Sequence, residues 1–218
     1  MNTKKSINSA VAKIMQIQGH TMNKEKTTTK TPQHLKLDFN PFEEPQLKTM
    51  LKLSEDWLTA INNNDKPYWC SLLGASGTGK TYLAKGCKQK IADYTLDLYE
   101  DKKGRNQRYT VDFMYWPEVV RRVRGGEYYL IDSYSKKDIL FIDDFGAEHK
   151  TEFSIGGSNE LFNKRLHKWT FLTSNLSLND IAEQIDSRIS SRIIRDGNRV
   201  AETNAMDFSL RKNLPEGV

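Results

Sequence analysis

Eight consecutive residues, Gly74, Ala75, Ser76, Gly77, Thr78, Gly79, Lys80 and Thr81, have the types and spacing to bind phosphate. A glycine, four intervening residues and then Gly-Lys-Thr marks a loop between a strand and a helix. Its backbone N–H groups surround phosphate oxygens while the lysine reaches the terminal ones. Gly77 and Gly79 let the backbone approach an anion, the helix N-terminus adds partial positive charge, and the Thr81 hydroxyl is a ligand for Mg2+. The flanks agree: "YWCSLLG" (68–74) is apolar as a buried strand should be, and Leu83, Cys87 and Ile91 repeat on one face of the helix expected next.

Two further strand-like runs end in reactive residues. "KKDILFIDDFG" (137–146) closes on two acids, at the kind of strand end where open α/β sheets hold their ligands. Asp143 is expected to hold Mg2+ through water. Asp144, pointing the other way across the strand, is expected to act as general base toward an attacking water, with Glu148 in reserve. "KWTFLTSN" (168–175) ends in Asn175, a neutral hydrogen-bonding group for that water or the γ-phosphate; Ser174 and Asn175 also have the chemistry of a helix N-cap. In "IDSRISSRIIRDG", Ile185, Ile189 and Ile193 form a helical stripe with Arg188, Arg192 and Arg195 beside it. Arginines bordering a buried face either reach a neighbouring subunit's γ-phosphate or make a solvated basic face.

These groups require a frame that brings strand ends together. Strands at 68–74, 109–115, 137–146 and 168–175 alternate with helices over 46–62, after the phosphate loop, from Pro117, at 157–168 and at 177–197. That alternation predicts an α/β fold, a parallel sheet with helices on both faces. A length of 218 residues suits one such domain with an appendage. No apolar run approaches the roughly 18 residues that span a bilayer, and no secretory leader is evident, so a cytoplasmic location without membrane attachment is expected. Cys70 and Cys87, the two cysteines, fall on core-facing positions as reduced thiols.

The net charge of +5 is unevenly distributed. Residues 1–36 carry seven lysines against one glutamate, a local balance of +6 that leaves −1 for the rest. Residues 1–34 read as a basic arm: a short amphipathic helix with Ile7, Val11, Ile14 and Met15 on one side, then a polar tether. Such an arm suits docking to a partner or electrostatic contact with nucleic acid. Residues 35–218 form the remaining domain.

With these motifs in order, the chain resembles the AAA+ ATPases of the DnaC/DnaI/IstB group, the replicative helicase loaders and transposition helper ATPases. "GASGTGKTYLA", "DILFIDDFGAE", "FLTSNLS" and "DSRISSRI" carry the resemblance over roughly residues 40–200. It implies a P-loop NTPase fold and slow ATP hydrolysis with Mg2+ in an oligomer. Lys80 and Thr81 would bind nucleotide and metal, Asp143 would support the metal, Asp144 would be the catalytic acid, Asn175 would sense the γ-phosphate, and Arg188 or Arg192 would be the finger acting in trans. Arg165 falls where the group often has an interface arginine. Only 26 residues follow Arg192, too few for a C-terminal helical lid and its sensor. The partners implied are a replicative helicase and single-stranded DNA, with Arg121 and Arg124 of "YTVDFMYWPEVVRRVR" as DNA contacts, although its valines also suit a core. The alternatives are a transposition ATPase that acts on duplex DNA with a transposase, and, less favoured, a small-molecule kinase.

Overall fold

Side-chain alternation along short apolar strands gives this sheet two buried faces. In the computed structural model, which describes residues 33–93, 98–100, 106–148 and 151–212, β1 (Trp69–Gly74), β5 (Ile139–Asp143) and β6 (Trp169–Thr173) lie side by side. Cys70, Leu72, Ile139, Phe141, Trp169 and Phe171 turn to one face, and Trp69, Leu73, Leu140, Ile142 and Leu172 to the other. The first face is covered by α1 (Pro45–Asn62), opened by its proline, and by α2 (Lys80–Asp93). Trp57 of α1 meets Phe141, Trp169 and Phe171 edge-on, with ring centroids 5.3–5.8 Å apart. The second face is covered by α3 (Trp116–Arg124), α4 (Tyr129–Lys136), α5 (Glu152–Arg165) and α7 (Ser187–Ile194), which bury Val119, Val120, Val123, Leu161, Phe162, Ile189 and Ile193. The valines of the aromatic and arginine segment are therefore core.

All five strands of the main sheet run parallel in the order β4-β5-β6-β1-β7, where β4 is Val111–Tyr115 and β7 is Arg199–Thr203. The register pairs Tyr115 with Asp143, Leu72 with Thr173 and Gly74 with Thr203. The C-terminal ends of the strands therefore converge along one edge. A separate hairpin pairs β2 (Leu98–Glu100) with β3 (Asn106–Arg108).

The sequence pattern does not predict the β2–β3 hairpin or α4, and three further features depart from it. β7 is a strand that the pattern did not suggest, because an edge position leaves Arg199 and Glu202 exposed and buries only Ala201 and Thr203. The helix expected over 177–197 is two helices, α6 (Leu178–Gln184) and α7. Asp186 is extended (φ −168°, ψ 127°) and its carboxylate accepts the Arg188 N–H, so it caps α7 rather than lying inside a helix. The helix expected from 157 begins earlier, at Glu152, where Thr151 and Ser154 form a reciprocal cap. Residues 1–32 of the basic arm, with the amphipathic helix expected there, lie outside the described residues.

Candidate active site

The phosphate loop leaves β1 through Gly74 and enters α2 at Lys80. It is fixed by groups distant in sequence: the Gly74 N–H donates to the Leu176 carbonyl (3.2 Å), the Ala75 N–H to the Thr203 carbonyl (2.7 Å), and the Phe208 N–H to the Gly77 carbonyl (2.8 Å). Gly77 (φ +65°) and Gly79 (φ +94°) occupy backbone regions that disfavour side chains, and both are also crowded by the chain itself. A Cβ on Gly77 would lie 1.5 Å from the Asp207 carboxylate, and one on Gly79 would lie 2.5 Å from the Phe39 ring.

Lys80 is buried against this loop. Its ammonium donates to the Gly74 and Ala75 carbonyls (2.8 and 2.6 Å), the arrangement of a cation held ready for an anion. Burial lowers its pKa to about 8, against the opposing charges of Asp144 and Asp143. A lysine with a depressed pKa carries its charge only below that value, whereas a bound polyphosphate requires the charge. Nucleotide affinity should therefore fall about tenfold between pH 7 and pH 9. Calorimetric titration checks this, and the Lys80→Met chain should bind weakly with no such slope.

The Thr81 hydroxyl donates to Asp143 Oδ1 (2.9 Å), and the Thr173 hydroxyl, at the end of β6, donates to the same oxygen (2.6 Å). Asp143 is 4% exposed, and two hydroxyls converge on one of its carboxylate oxygens at the strand end. The donor set of one hydroxyl and one carboxylate beside a phosphate loop fits Mg2+. Asp144 diverges from Asp143 through a left-handed turn (φ +55°) after the strand, not through strand alternation, and lines the cavity above the loop. Burial, and secondarily the Asp143 charge, raise its carboxyl above the usual range, with Lys80 opposing. Glu148 is not among the residues lining that cavity. Asn175 does line it, and it is spared capping work because Ser177 caps α6 in a reciprocal pair with Asp180.

The cavity has a volume of about 670 Å3 and runs along residues 76–82, Asp144 and Asn175. Its remaining walls come from segments without a sequence motif: Asp38, Phe39 and Asn40, which precede α1, and Phe208 and Arg211 of α8 (Phe208–Lys212). There is no helical lid among the described residues, yet this five-residue helix brings a cation to the site. The Arg211 guanidinium lies 5.2 Å over the Phe42 ring, and Phe42 meets Phe208 edge-on at 5.6 Å. Arg211 Nε and Nη1 are buried without a hydrogen-bond partner. A guanidinium with two buried, unpartnered nitrogens beside a phosphate loop fits an anionic ligand.

The other arginines separate clearly. Arg188, 72% exposed at its side chain, is held by its own Asp186 (2.7 Å) at the domain surface. Arg192 is half-buried and donates to Asn163 Oδ1 (2.8 Å) and Asn159 Oδ1 (3.1 Å) of α5. Arg195 lies beyond the end of α7 and is exposed. Arg121 pairs with Glu118 on α3 (2.8 Å), and Arg124 donates to the Thr151 hydroxyl (2.9 Å). Arg165 is not at a surface: it is fully buried at the opposite edge of the sheet, where it donates to the carbonyls of Lys137, Asp138 and Trp169 and to the Thr170 hydroxyl. These carbonyls, where β5 and β6 begin, surround the buried cation, and the burial of Arg165 argues against an interface role.

A parallel sheet in this order, with a phosphate loop after β1 and acids after β5, defines the fold of the AAA+ P-loop ATPases. Among solved structures, the chain is similar to DnaI, with a TM-score of 0.60 and 21% identity over 80% of this chain and 91% of that one. It is similar to the DnaC helicase loader, with a TM-score of 0.53 and 20% identity over 71% and 90%. Domain III of the Thermotoga maritima replication initiation protein DnaA gives 0.52 and 21% over 73% and 64%. By sequence, no family model matches the chain and no curated protein is significantly similar to it. No described helix is long and apolar enough to cross a membrane.

Proposed function

We propose that the chain is an ATP-hydrolysing subunit of a helicase loader, which binds Mg·ATP, assembles with neighbouring copies and acts on single-stranded DNA and a replicative helicase. The observation that carries this reading is the convergence of Lys80, Thr81, Asp144 and Asn175 on one cavity, with the buried Asp143 bonded to Thr81 behind it. Loop N–H groups, Lys80 and Arg211 bind the polyphosphate. Thr81 and Asp143 would hold Mg2+, which would supply charge neutralisation at the phosphates. Asp144 accepts a proton from the attacking water, and Asn175 orients that water or the γ-phosphate. Arg188 is the finger for a neighbouring site, because it stands at the surface while the donors of Arg192 are engaged with α5. Arg121 and Arg124, on the exposed side of α3, contact DNA.

Purified protein should bind Mg·ATP and hydrolyse it slowly, with turnover per subunit rising with concentration and on addition of single-stranded oligonucleotide and a replicative helicase. Stimulation by duplex in place of single strands would favour the transposition alternative. Failure to bind ATP would overturn the reading.

A further inference from the structure

Each residue of "TSN" at the end of β6 has a separate task, and that of Thr173 reaches into the reaction centre. Asn175 lines the cavity. The Ser174 hydroxyl donates to the Phe145 carbonyl (2.6 Å) and accepts the Leu176 N–H (3.1 Å), which ties the strand end to neighbouring turns. The Thr173 hydroxyl, 1% exposed, donates its single proton to Asp143 Oδ1 (2.6 Å) and accepts the Asp144 N–H (3.1 Å). With the proton committed to a carboxylate, only oxygen lone pairs are left to face the Asp144 peptide. The Thr173 carbonyl also takes the Phe145 N–H (2.9 Å). One residue therefore grips both acids and the turn that follows them.

We infer that Thr173 is a positioning residue for ATP hydrolysis, whose hydroxyl holds the peptide of Asp144 in its left-handed turn and so aims that carboxylate into the cavity. The inference rests on the hydrolysis reading above and deepens it. Asp144 has φ +55°, an uncommon conformation for a residue with a side chain, though less so for Asp than for most, and one that a constraint from its surroundings helps to keep. Thr173 supplies such a constraint. The same hydroxyl serves the Asp143 carboxylate, so a ligand that draws on Asp143 acts on Asp144 through a single oxygen. The Thr173 hydroxyl makes no direct bond to the phosphate loop and meets Thr81 only through Asp143 Oδ1, so its loss should act on turnover more than on nucleotide affinity.

The test compares Thr173→Val, which keeps the branched shape without the hydroxyl, with Thr173→Ser, which keeps the hydroxyl. Thr173→Val should lower turnover about 10²-fold, the loss expected when a reacting group is misplaced by about 1 Å, with ATP affinity near wild type and faster hydrogen exchange at the Asp144 amide. Thr173→Ser should restore most of the turnover and the amide protection. Should the valine chain not fold, Thr173→Cys, close in shape to the serine variant, offers a poor hydrogen-bonding group in place of the hydroxyl. In an Asp144→Asn background, Thr173→Val should have little further effect, because it acts through the residue already lost. Full turnover in Thr173→Val, or an equal added loss in the Asp144→Asn background, overturns the inference and leaves the assignment of the base intact. A wild-type chain that binds ATP and hydrolyses none with DNA and helicase present fails the hydrolysis reading itself, and the inference with it.

Discussion

Replacing Arg188 with alanine should leave ATP affinity close to wild type and lower turnover by roughly 10³–10⁵-fold, the range for losing an arginine that stabilises a phosphoryl-transfer transition state. The expectation follows from where the residue stands. Ile189 and Ile193 are buried against the sheet, so α7 has one orientation, and Arg188 emerges from it at the surface. Its pairing with Asp186 pre-orients the guanidinium without burying it, and exchange of that partner for a neighbour's phosphate requires little reorganisation. Arg192→Ala should behave differently, with a lower melting temperature and a smaller effect on turnover, because its donors brace α7 against Asn159 and Asn163. Mixing decides the matter. A Lys80→Ala chain carries an intact finger and an Arg188→Ala chain an intact loop, so mixed assemblies should regain activity that neither has alone. No recovery in assemblies shown to contain both chains, or full activity in a monomer, would place the function of Arg188 elsewhere.

Asp144→Asn should retain ATP binding and reduce turnover by about 10²–10⁴-fold, since an amide cannot take the proton of the attacking water. The raised pKa of Asp144 adds a second signature. A general base works only when ionised, so turnover should fall as pH drops through that elevated value. This acid limb should lie above the ordinary carboxylate range and vanish from the residual activity of the asparagine chain. Glu148→Gln is the control, as Glu148 does not line the cavity. If Glu148→Gln abolishes turnover and Asp144→Asn does not, the base has been misassigned.

What could be read in the sequence is what depends on neighbours along the chain. Lys80 and Thr81 follow Gly79 at fixed spacing, Asp143 and Asp144 end an apolar run, and Asn175 ends another, so strand ends and loop chemistry were recognisable together. Residues whose roles arise from distant partners were not. Arg211 acquires its place from Phe42, and β7 acquires strand structure from β1, although its own residues are half exposed. Arg165 looked like a surface cation because nothing local announces the carbonyls of Lys137 and Asp138 that enclose it. The break at Asp186 did carry a local signal, an N-capping acid just before Ser187 and Arg188. The continuous isoleucine spacing across it, from Ile185 to Ile193, concealed that signal.

The backbone of the phosphate loop is held from the far end of the domain: Ala75 by Thr203, and Gly77 by Phe208. During synthesis these partners do not exist when the loop leaves the ribosome. At about 5–20 residues per second, the 128 residues between Ala75 and Thr203 take roughly 6 to 26 s to add. Throughout that interval β1 is an unpaired edge on the side that β7 will occupy, and the loop lacks the bonds that fix its shape. A chain that ends before β7 carries the whole "GASGTGKT" motif without the bonds that hold Ala75 and Gly77, and it should bind ATP more weakly than the full chain.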